Sequence, residues 1–209
     1  MKLRHSPTSP FVRKVMVVAL ETGLIERIER IPTSVAPTKL NEEVARENPL
    51  VKVPSLTTDD GLVLYDSPVI CEYLDTLNTG AKLFPPSGKA RWVALRQQAL
   101  GDGILEAAIL GRYESVRPEN FRWPDWIDAQ LRKVRGGLAA LELEAANGEL
   151  SGGANGDITI GQVTIGCALG YLDFRYQSED WHARCRALDR WYENFAQRKS
   201  MQLTMPKAS

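Results

Sequence analysis

Two segments of the chain place a polar side chain directly before a proline that suits the first turn of a helix. Ser9 precedes Pro10, and Asp66 with Ser67 precedes Pro68. Proline is favoured there because its missing N–H group would have no intrahelical acceptor, and Ser or Asp before it is a typical cap. The first N–H groups of a helix and its dipole attract anions. Both segments therefore predict places where an anionic group could be held.

The helices that would position these residues are marked by their own patterns. Apolar residues share one face of residues 10–22, and Gly23 suits the position beyond the end. A second helix is predicted with Ser67 as its N-cap and Pro68 at its first position, ending near Asn78. Each helix would thus begin at a residue that could bind an anion.

Short apolar runs around these helices predict strands, with Asp59-Asp60-Gly61 as a hairpin turn between the last two. The runs lie at Leu3 and at residues 25–31, 53–57 and 62–64. Four later stretches have apolar residues at helical spacing, and Thr159 with Gln162 predicts a capping box after the Gly-rich SGGANGD. These stretches are residues 93–104, 127–141, 163–171 and 188–195.

The length of 209 residues allows two small domains, each with its own core. The run PPSG interrupts any helix or central strand, so a linker is predicted at residues 81–88. Residues 1–80 would form an α/β domain, and residues 89–209 would form an all-α helical bundle.

The composition excludes several classes of function. Lys+Arg and Asp+Glu both total 26, so no overall charge favours nucleic acid or an anionic membrane surface. The chain has neither a signal-peptide pattern at its start nor the ~20 consecutive apolar residues of a membrane span, which predicts a cytoplasmic protein. Three dispersed cysteines favour free thiols over disulfides. His5 and His182 belong to no ligand cluster, so no metal is expected.

Three motifs resemble those of the glutathione transferase superfamily in their order and spacing. They are SPTSPFVRKV, NPLVKVPSL and LYDSPVICEYL, and the later GDITIGQVTIG resembles the buried helix-capping segment of that family. The resemblance covers essentially the whole chain, and it is greatest to a bacterial Ser-type group whose first helix begins TSPFVRK. It implies a thioredoxin-like N-terminal domain that binds glutathione as a co-substrate, followed by an all-helical domain.

The resemblance also implies roles for residues around the glutathione. The Val53–Pro54 bond would be cis, so that the Val53 N–H and C=O point outward and pair with the tripeptide as a short added strand. Asp66 and Ser67 would meet the α-amino group and the α-carboxylate of the γ-glutamyl end. Lys52 would meet the glycyl carboxylate. Lys39 is the other candidate for that role.

Ser9 occupies the position at which the family carries its catalytic Ser or Cys. It would donate a hydrogen bond to the glutathione thiolate, although Thr8 and Ser6 are near enough to be rivals. A hydroxyl cannot become a disulfide partner, which argues against a thiol reductase. The alternative, in which Ser9 only caps its helix, stays open.

The implied function is a glutathione transferase that adds the thiolate to an electrophilic, hydrophobic substrate. Tyr113 and Thr8 are the candidate contacts to this second substrate, which would lie between the loop before the first helix and the end of the fourth. Family dimers imply a homodimer. Two alternatives stay open: a glutathione-dependent isomerase or lyase, and a non-catalytic binding module that keeps the fold.

Overall fold

The chain divides into two units in a computed structural model that describes residues 1–150 and 156–206. The N-terminal unit contains Met1–Pro86, and the helical unit is Ser87–Arg198. The described residues from Lys199 onward group with the N-terminal unit, which differs from the expected division at residues 89–209. The N-terminal unit is therefore discontinuous in sequence.

A four-stranded sheet lies in the N-terminal unit. Its strands are β1 (Lys2–His5), β2 (Glu29–Pro32), β3 (Leu56–Thr57) and β4 (Val63–Leu64), in the spatial order β2-β1-β3-β4. Strands β1 and β2 are parallel, whereas β1 with β3 and β3 with β4 are antiparallel. The predicted hairpin turn is confirmed, since Gly61 adopts φ +88° and the Thr58 N–H donates to the Leu62 carbonyl at 2.9 Å.

Two strand predictions were too long. The first part of residues 25–31 is a 3₁₀ helix, Ile25–Arg27, which fits the three-residue repeat of IERIERI because 3₁₀ helices have three residues per turn. Residues 53–57 pair with their neighbours only from Leu56. The proline at position 54 cannot donate a ladder hydrogen bond, which shortens this strand.

Three helices accompany the sheet: α1 (Pro10–Glu21), α2 (Glu42–Glu47) and α3 (Ser67–Leu77). Ser9 caps α1 as predicted, and Gly23 follows it with φ +70°. The prediction that Ser67 caps α3 was wrong by one position, because Asp66 is the N-cap and Ser67 is the first helical residue. Helices α1 and α3 pack together, and their apolar faces are buried with Leu3 of β1.

The helical unit contains α4 (Gly88–Ser115), α5 (Pro124–Ala146), α6 (Ile160–Arg175), α7 (Trp181–Arg184) and α8 (Arg186–Phe195). Helix α6 is buried along most of its length, and α4 packs against both α5 and α6. A β-carbon at Gly101 would lie 2.9 Å from Thr164 Cγ2 and 3.1 Å from the Thr164 carbonyl carbon, so glycine permits this close approach. Gln162 Oε1 accepts the Thr159 N–H at 2.6 Å, as the predicted capping box requires. Most of SGGANGD lies outside the described residues.

A histidine joins three helices of the helical unit. His182 Nδ1 lies 2.7 Å from Asp189 Oδ1, and its Nε2 lies 2.9 Å from Asp173 Oδ1. Trp181 stacks on the imidazole at 3.9 Å between ring centroids and donates its Nε1–H to Asp173 at 2.8 Å. Because a neutral imidazole has one N–H donor, hydrogen bonds to both carboxylates require the imidazolium form.

The last helix, α9 (Lys199–Leu203), packs against α1 within the N-terminal unit. Arg13 of α1 donates from Nη2 to the Met201 carbonyl at 3.1 Å and from Nε to Thr204 Oγ1 at 3.4 Å. Ser200 Oγ also donates to the Glu21 carboxylate. Side chains near both ends of α1 are thereby hydrogen-bonded to residues 200–204.

The three cysteines are buried and form no disulfide with one another, as the sequence predicted. Among the described side chains, no group of three or more His, Cys, Asp or Glu could hold a metal ion. None of the helices in residues 1–150 and 156–206 combines the length and apolarity that a membrane crossing requires.

Candidate functional site

The sheet topology brings the three sequence motifs to one end of the N-terminal unit. Strand β1 ends at His5, and antiparallel β3 begins at the same end of the sheet, since Lys2 pairs with Thr57 and Leu3 with Leu56. Strand β4 runs antiparallel to β3 and therefore ends there too. The loops after β1, before β3 and after β4 carry the three motifs, so Ser9, the Val53–Pro54 bond and Ser67 lie toward a common edge.

Ser9 can cap its helix and still donate a hydrogen bond. Its Oγ accepts the Val12 N–H at 3.3 Å, and its side chain is half-buried. A hydroxyl has one donor and two acceptor sites, and no acceptor for the Ser9 O–H lies within residues 1–150 and 156–206. Thr8 and Ser6 are also half-buried, so burial does not separate Ser9 from its rivals.

The Val53–Pro54 peptide bond is cis. The Ser55 carbonyl is joined to the sheet by the Arg4 N–H at 2.8 Å, and the ladder of β3 begins at Leu56. In the described part of the chain, the N–H and C=O of Val53 have no hydrogen-bond partner. Val53 is half-buried and Pro54 is buried, so an unpaired backbone donor and acceptor lie at the edge of a fixed loop.

Asn48 shapes this loop, and the sequence analysis missed it. Its side chain is 2% exposed, donates from Nδ2 to the Lys52 carbonyl at 3.0 Å, and accepts the Leu50 N–H at 3.0 Å. The Asn48 carbonyl also accepts the N–H of Val51, whose φ is +52°. The signal was the Asn-Pro pair inside NPLVKVPSL, because Asn before Pro favours a turn closed by its own side chain.

Asp66 and Ser67 lie at the N-terminus of α3. Ser67 is only 1% exposed, and its Oγ has no hydrogen-bond partner among the side chains and backbone groups that the structure describes. Asp66 is exposed, and its carboxylate does not cap the helix. Ser67 is thus a buried hydroxyl donor beside the free N–H groups of the first helical turn. Asp66 is a solvent-exposed negative charge.

The cations near this end of the sheet differ in availability. The Arg4 guanidinium is paired with Glu47 at 2.6 Å and with Glu43 at 3.3 Å. Burial and the charge of Arg30 lower the pKa of His5, so its imidazole is neutral at pH 7. Lys52 and Lys39 are both exposed, and neither forms an ion pair within the described residues. Lys52 and Lys39 are therefore available to bind a carboxylate.

A concavity at the opposite end of the sheet contains none of the residues of the three motifs. Its lining includes Met1, Lys2, Arg27 and Asp59. The amino group of Met1 lies 2.6 Å from Asp59, and Arg27 lies 3.6 Å from the same carboxylate. The Met1 amino group and Arg27 are therefore both paired with Asp59.

Tyr113, the candidate contact to the second substrate, lies in the other unit. It lies on α4 near the C-terminal end of that helix, in the helical unit, and its side chain is 43% exposed. The structure thus gathers Ser9, Val53, Pro54 and Ser67 at one edge, keeps Lys52 and Asp66 exposed beside it, and leaves Tyr113 on a separate unit.

Comparisons with known proteins agree across the whole chain. Models of the glutathione S-transferase N-terminal and C-terminal domains match residues 8–77 and 124–194. The uncharacterized GST-like protein YibF of Escherichia coli (strain K12) is 33% identical over 207 residues, covering 99% of this chain and 98% of that protein.

Two crystal structures from Pseudomonas fluorescens Pf-5 are also similar to this chain. A glutathione transferase family member with bound glutathione has a TM-score of 0.94 and 42% identity, with 99% of each chain covered. One with bound S-(propanoic acid)-glutathione has a TM-score of 0.89 and 42% identity over 100% of each chain.

Proposed function

Because the chain belongs to the glutathione transferase family, we propose that it binds glutathione in its N-terminal unit and adds the thiolate to an electrophilic second substrate. The observation that carries this proposal is the free Val53 backbone beside the cis Val53–Pro54 bond, at the same end of the sheet as Ser9 and Ser67. Glutathione bound to the similar Pseudomonas structure supports the choice of ligand.

The backbone of Val53 provides affinity that does not depend on side-chain identity. An extended tripeptide pairs with its N–H and C=O as one more strand of the sheet. The hydroxyl of Ser67 and the free N–H groups of α3 receive the γ-glutamyl carboxylate, while Asp66 attracts the α-amino group. Lys52 attracts the glycyl carboxylate.

The chemistry requires that the thiol of glutathione lose its proton. A free thiol has a pKa of ~8.5, and a helix N-terminus with nearby donors lowers it to about 3.5–7.5. Ser9 donates its O–H to the sulfur, and the start of α1 adds a positive dipole end. The thiolate lone pair then forms a C–S bond with the electrophilic carbon. The displaced electron pair leaves with the halide of an alkyl halide, moves to the oxygen of an opened epoxide, or takes up a proton on the adjacent carbon of an activated alkene.

The second substrate belongs, in this proposal, to the helical unit, with Tyr113 as a candidate contact and Thr8 as another. The similar Pseudomonas structure with S-(propanoic acid)-glutathione holds a conjugate of a small carboxylate-bearing group. A small electrophile of that kind is consistent with addition by this chain.

Retention on immobilised glutathione, followed by turnover of a panel of alkyl halides, epoxides and activated alkenes, tests the proposal. Retention and conjugation of at least one electrophile above the uncatalysed rate are expected. Retention without any turnover would replace the transferase with a glutathione-binding module. Rearrangement of a substrate with glutathione regenerated would assign an isomerase, and failure to bind glutathione would reject the glutathione site.

A further inference from the structure

Two arginines of the helical unit lie beside the contact between the last turns of α4 and the end of α6. Tyr176, which follows α6, donates its hydroxyl to the Ala108 carbonyl of α4 at 2.5 Å. A β-carbon at Gly111 would lie 3.2 Å from the same Tyr176 hydroxyl. Arg112 and Arg175 neighbour these contact residues in sequence, and both are half-buried.

The charges of these two arginines act on each other. Burial and then the charge of Arg112 lower the pKa of Arg175. Within residues 1–150 and 156–206, neither guanidinium forms an ion pair or a side-chain hydrogen bond. Arg175 lies over the Phe174 ring at 3.8 Å from its centroid, which orients the guanidinium without neutralising it.

The carboxylates that lie close to the two arginines in sequence are hydrogen-bonded or ion-paired to other groups. Glu114 accepts hydrogen bonds from Arg117 at 2.9 Å and from the Trp123 N–H at 2.8 Å. Glu179 pairs with Arg135 at 2.9 Å. Asp173 is held by His182 and Trp181, as described above. The two arginines therefore keep an uncompensated positive charge.

Tyr171 adds a hydroxyl to the two guanidinium groups. Tyr171 is one turn before Arg175 on α6, and its side chain is 5% exposed. Its hydroxyl has no hydrogen-bond partner in the described part of the chain. Burial raises the pKa of Tyr171, against the opposing charges of both arginines, so the hydroxyl keeps its proton at neutral pH.

We propose that Arg112, Arg175 and the Tyr171 hydroxyl bind the carboxylate of an anionic second substrate. An arginine fork matches the two oxygens of a carboxylate, and the tyrosine supplies a further O–H donor. This inference rests on the proposed transferase function and narrows its substrate class to electrophiles that carry a carboxylate. The Arg112–Arg175–Tyr171 cluster selects the substrate and takes no part in bond formation.

Binding of benzoate and benzamide, measured by calorimetry without glutathione, tests the cluster directly. The two probes have nearly the same shape, so a difference reports the charge. We expect benzoate to bind about tenfold or more tightly than benzamide, because a charge-assisted hydrogen bond is worth ~1.5–3 kcal/mol. Arg112→Gln and Arg175→Gln should each remove most of this preference, and Tyr171→Phe should remove part of it. Arg132→Gln, at an exposed position of α5, should leave it unchanged.

The same preference should appear in turnover with saturating glutathione. The substrates are 4-(chloromethyl)benzoate and 4-(chloromethyl)benzamide, in which the thiolate forms a C–S bond and chloride leaves. We expect wild type to favour the benzoate in kcat/KM, with the ratio near unity in Arg112→Gln and Arg175→Gln. Because the two kcat/KM values are measured on the same protein, a smaller fraction of folded enzyme lowers both equally and leaves their ratio unchanged.

Two results would overturn the inference: no benzoate preference in wild type, or a preference that survives in both arginine variants. If no protein turns over either chloride, benzoate binding alone decides whether the anion site exists, and the transferase function is decided by the panel of electrophiles.

Discussion

In the proposed function, Ser9 both caps α1 and donates a hydrogen bond to the glutathione thiolate. Its oxygen accepts from the Val12 N–H while its proton stays available to a thiolate. Ser9→Ala should therefore raise the pKa of the bound glutathione thiol by about one to two units, since the lost hydrogen bond from Ser9 to the thiolate is worth ~1.5–3 kcal/mol. Ultraviolet absorbance of the enzyme-bound thiolate against pH measures the shift, with glutathione saturating.

Thr8→Ala is the matched control, because Thr8 is also half-buried but does not cap α1. Its thiol titration should stay close to that of wild type. A larger upward shift in Thr8→Ala than in Ser9→Ala would transfer the role to Thr8. If neither variant moves the titration, the backbone N–H groups of α1 activate the thiol without a hydroxyl.

A Ser67 variant can test glutathione binding without removing the N-cap of α3, which the sequence had assigned to Ser67. It is the first residue of α3 rather than the cap, and its hydroxyl has no partner in the described residues. Ser67→Ala should therefore leave the melting temperature nearly unchanged and weaken glutathione binding about fivefold or more, through loss of a charge-assisted bond. Calorimetric titration gives the affinity. An unchanged Kd would reject the contact with the γ-glutamyl carboxylate.

At the scale of elements, the loop before the cis bond depends on one buried amide. Asn48→Ala removes the acceptor of the Leu50 N–H and the donor to the Lys52 carbonyl. We expect destabilisation of ~1–3 kcal/mol in chemical unfolding, because buried backbone groups lose their partners. We also expect weaker glutathione binding, because the loop that positions the Val53 backbone loosens.

Asn41→Ala is the control for this loop. Asn41 accepts the Val44 N–H at 3.2 Å and caps α2, so its loss should cost ~1 kcal/mol of stability. Glutathione affinity should be retained, measured where both variants are folded. Equal losses of affinity in the two variants would mean that general destabilisation, and not the loop, controls binding.

The corner between α6, α7 and α8 should make stability depend on pH. Burial alone would lower the pKa of His182, but the hydrogen bonds and charges of Asp189 and Asp173 outweigh it and raise the pKa. A raised folded-state pKa contributes stability that is full below the unfolded value of ~6.5 and is lost as pH rises through the folded value. His182→Gln should therefore lose more unfolding free energy at pH 5.5 than at pH 9.

His5→Gln provides the opposite sign as a control. Burial, with Arg30, lowers the pKa of His5, so its contribution is present above ~6.5 and is lost as pH falls. Urea unfolding of both variants and wild type from pH 5.5 to 9 measures the trends. A pH-independent difference between wild type and His182→Gln would show that the two carboxylates do not stabilise the imidazolium.

Elements with local signals at their ends could be predicted from the sequence, and elements defined by pairing could not. Ser9, Pro10 and Gly23 fixed α1 because caps act within one turn. Strand β3 has only two residues, and its bounds depend on partners in β1 and β4. The start of α3 was misplaced because Asp and Ser are both good caps, so the pattern does not choose between neighbours.

The same division applies to the candidate sites. The motifs around Ser9, Val53 and Ser67 are contiguous in sequence, so their residues could be named before their placement was known. Arg112 and Arg175 are far apart in sequence, and only the packing of α4 on α6 brings their segments together. A cluster produced by helix packing has no sequence spacing to detect.

At the scale of the whole molecule, we propose a homodimer, because the family to which the chain belongs commonly forms dimers. Sedimentation velocity at micromolar concentrations should give a species near twice the chain mass of 23.3 kDa. A single species at the chain mass over that range would remove the proposal. Dilution should separate a weak dimer from a stable one, because dissociation follows mass action.

The discontinuous N-terminal unit also sets an order of events during protein synthesis. The ribosome delivers Met1–Pro86 first, yet α9 is made only after the entire helical unit. Domains commonly fold as they emerge, starting from the N-terminus. Here the unit that is begun first is completed last, because Arg13 of α1 must wait for the Met201 carbonyl. A nascent chain arrested before Lys199 would thus present a sheet and helices whose arginine still lacks its final acceptor.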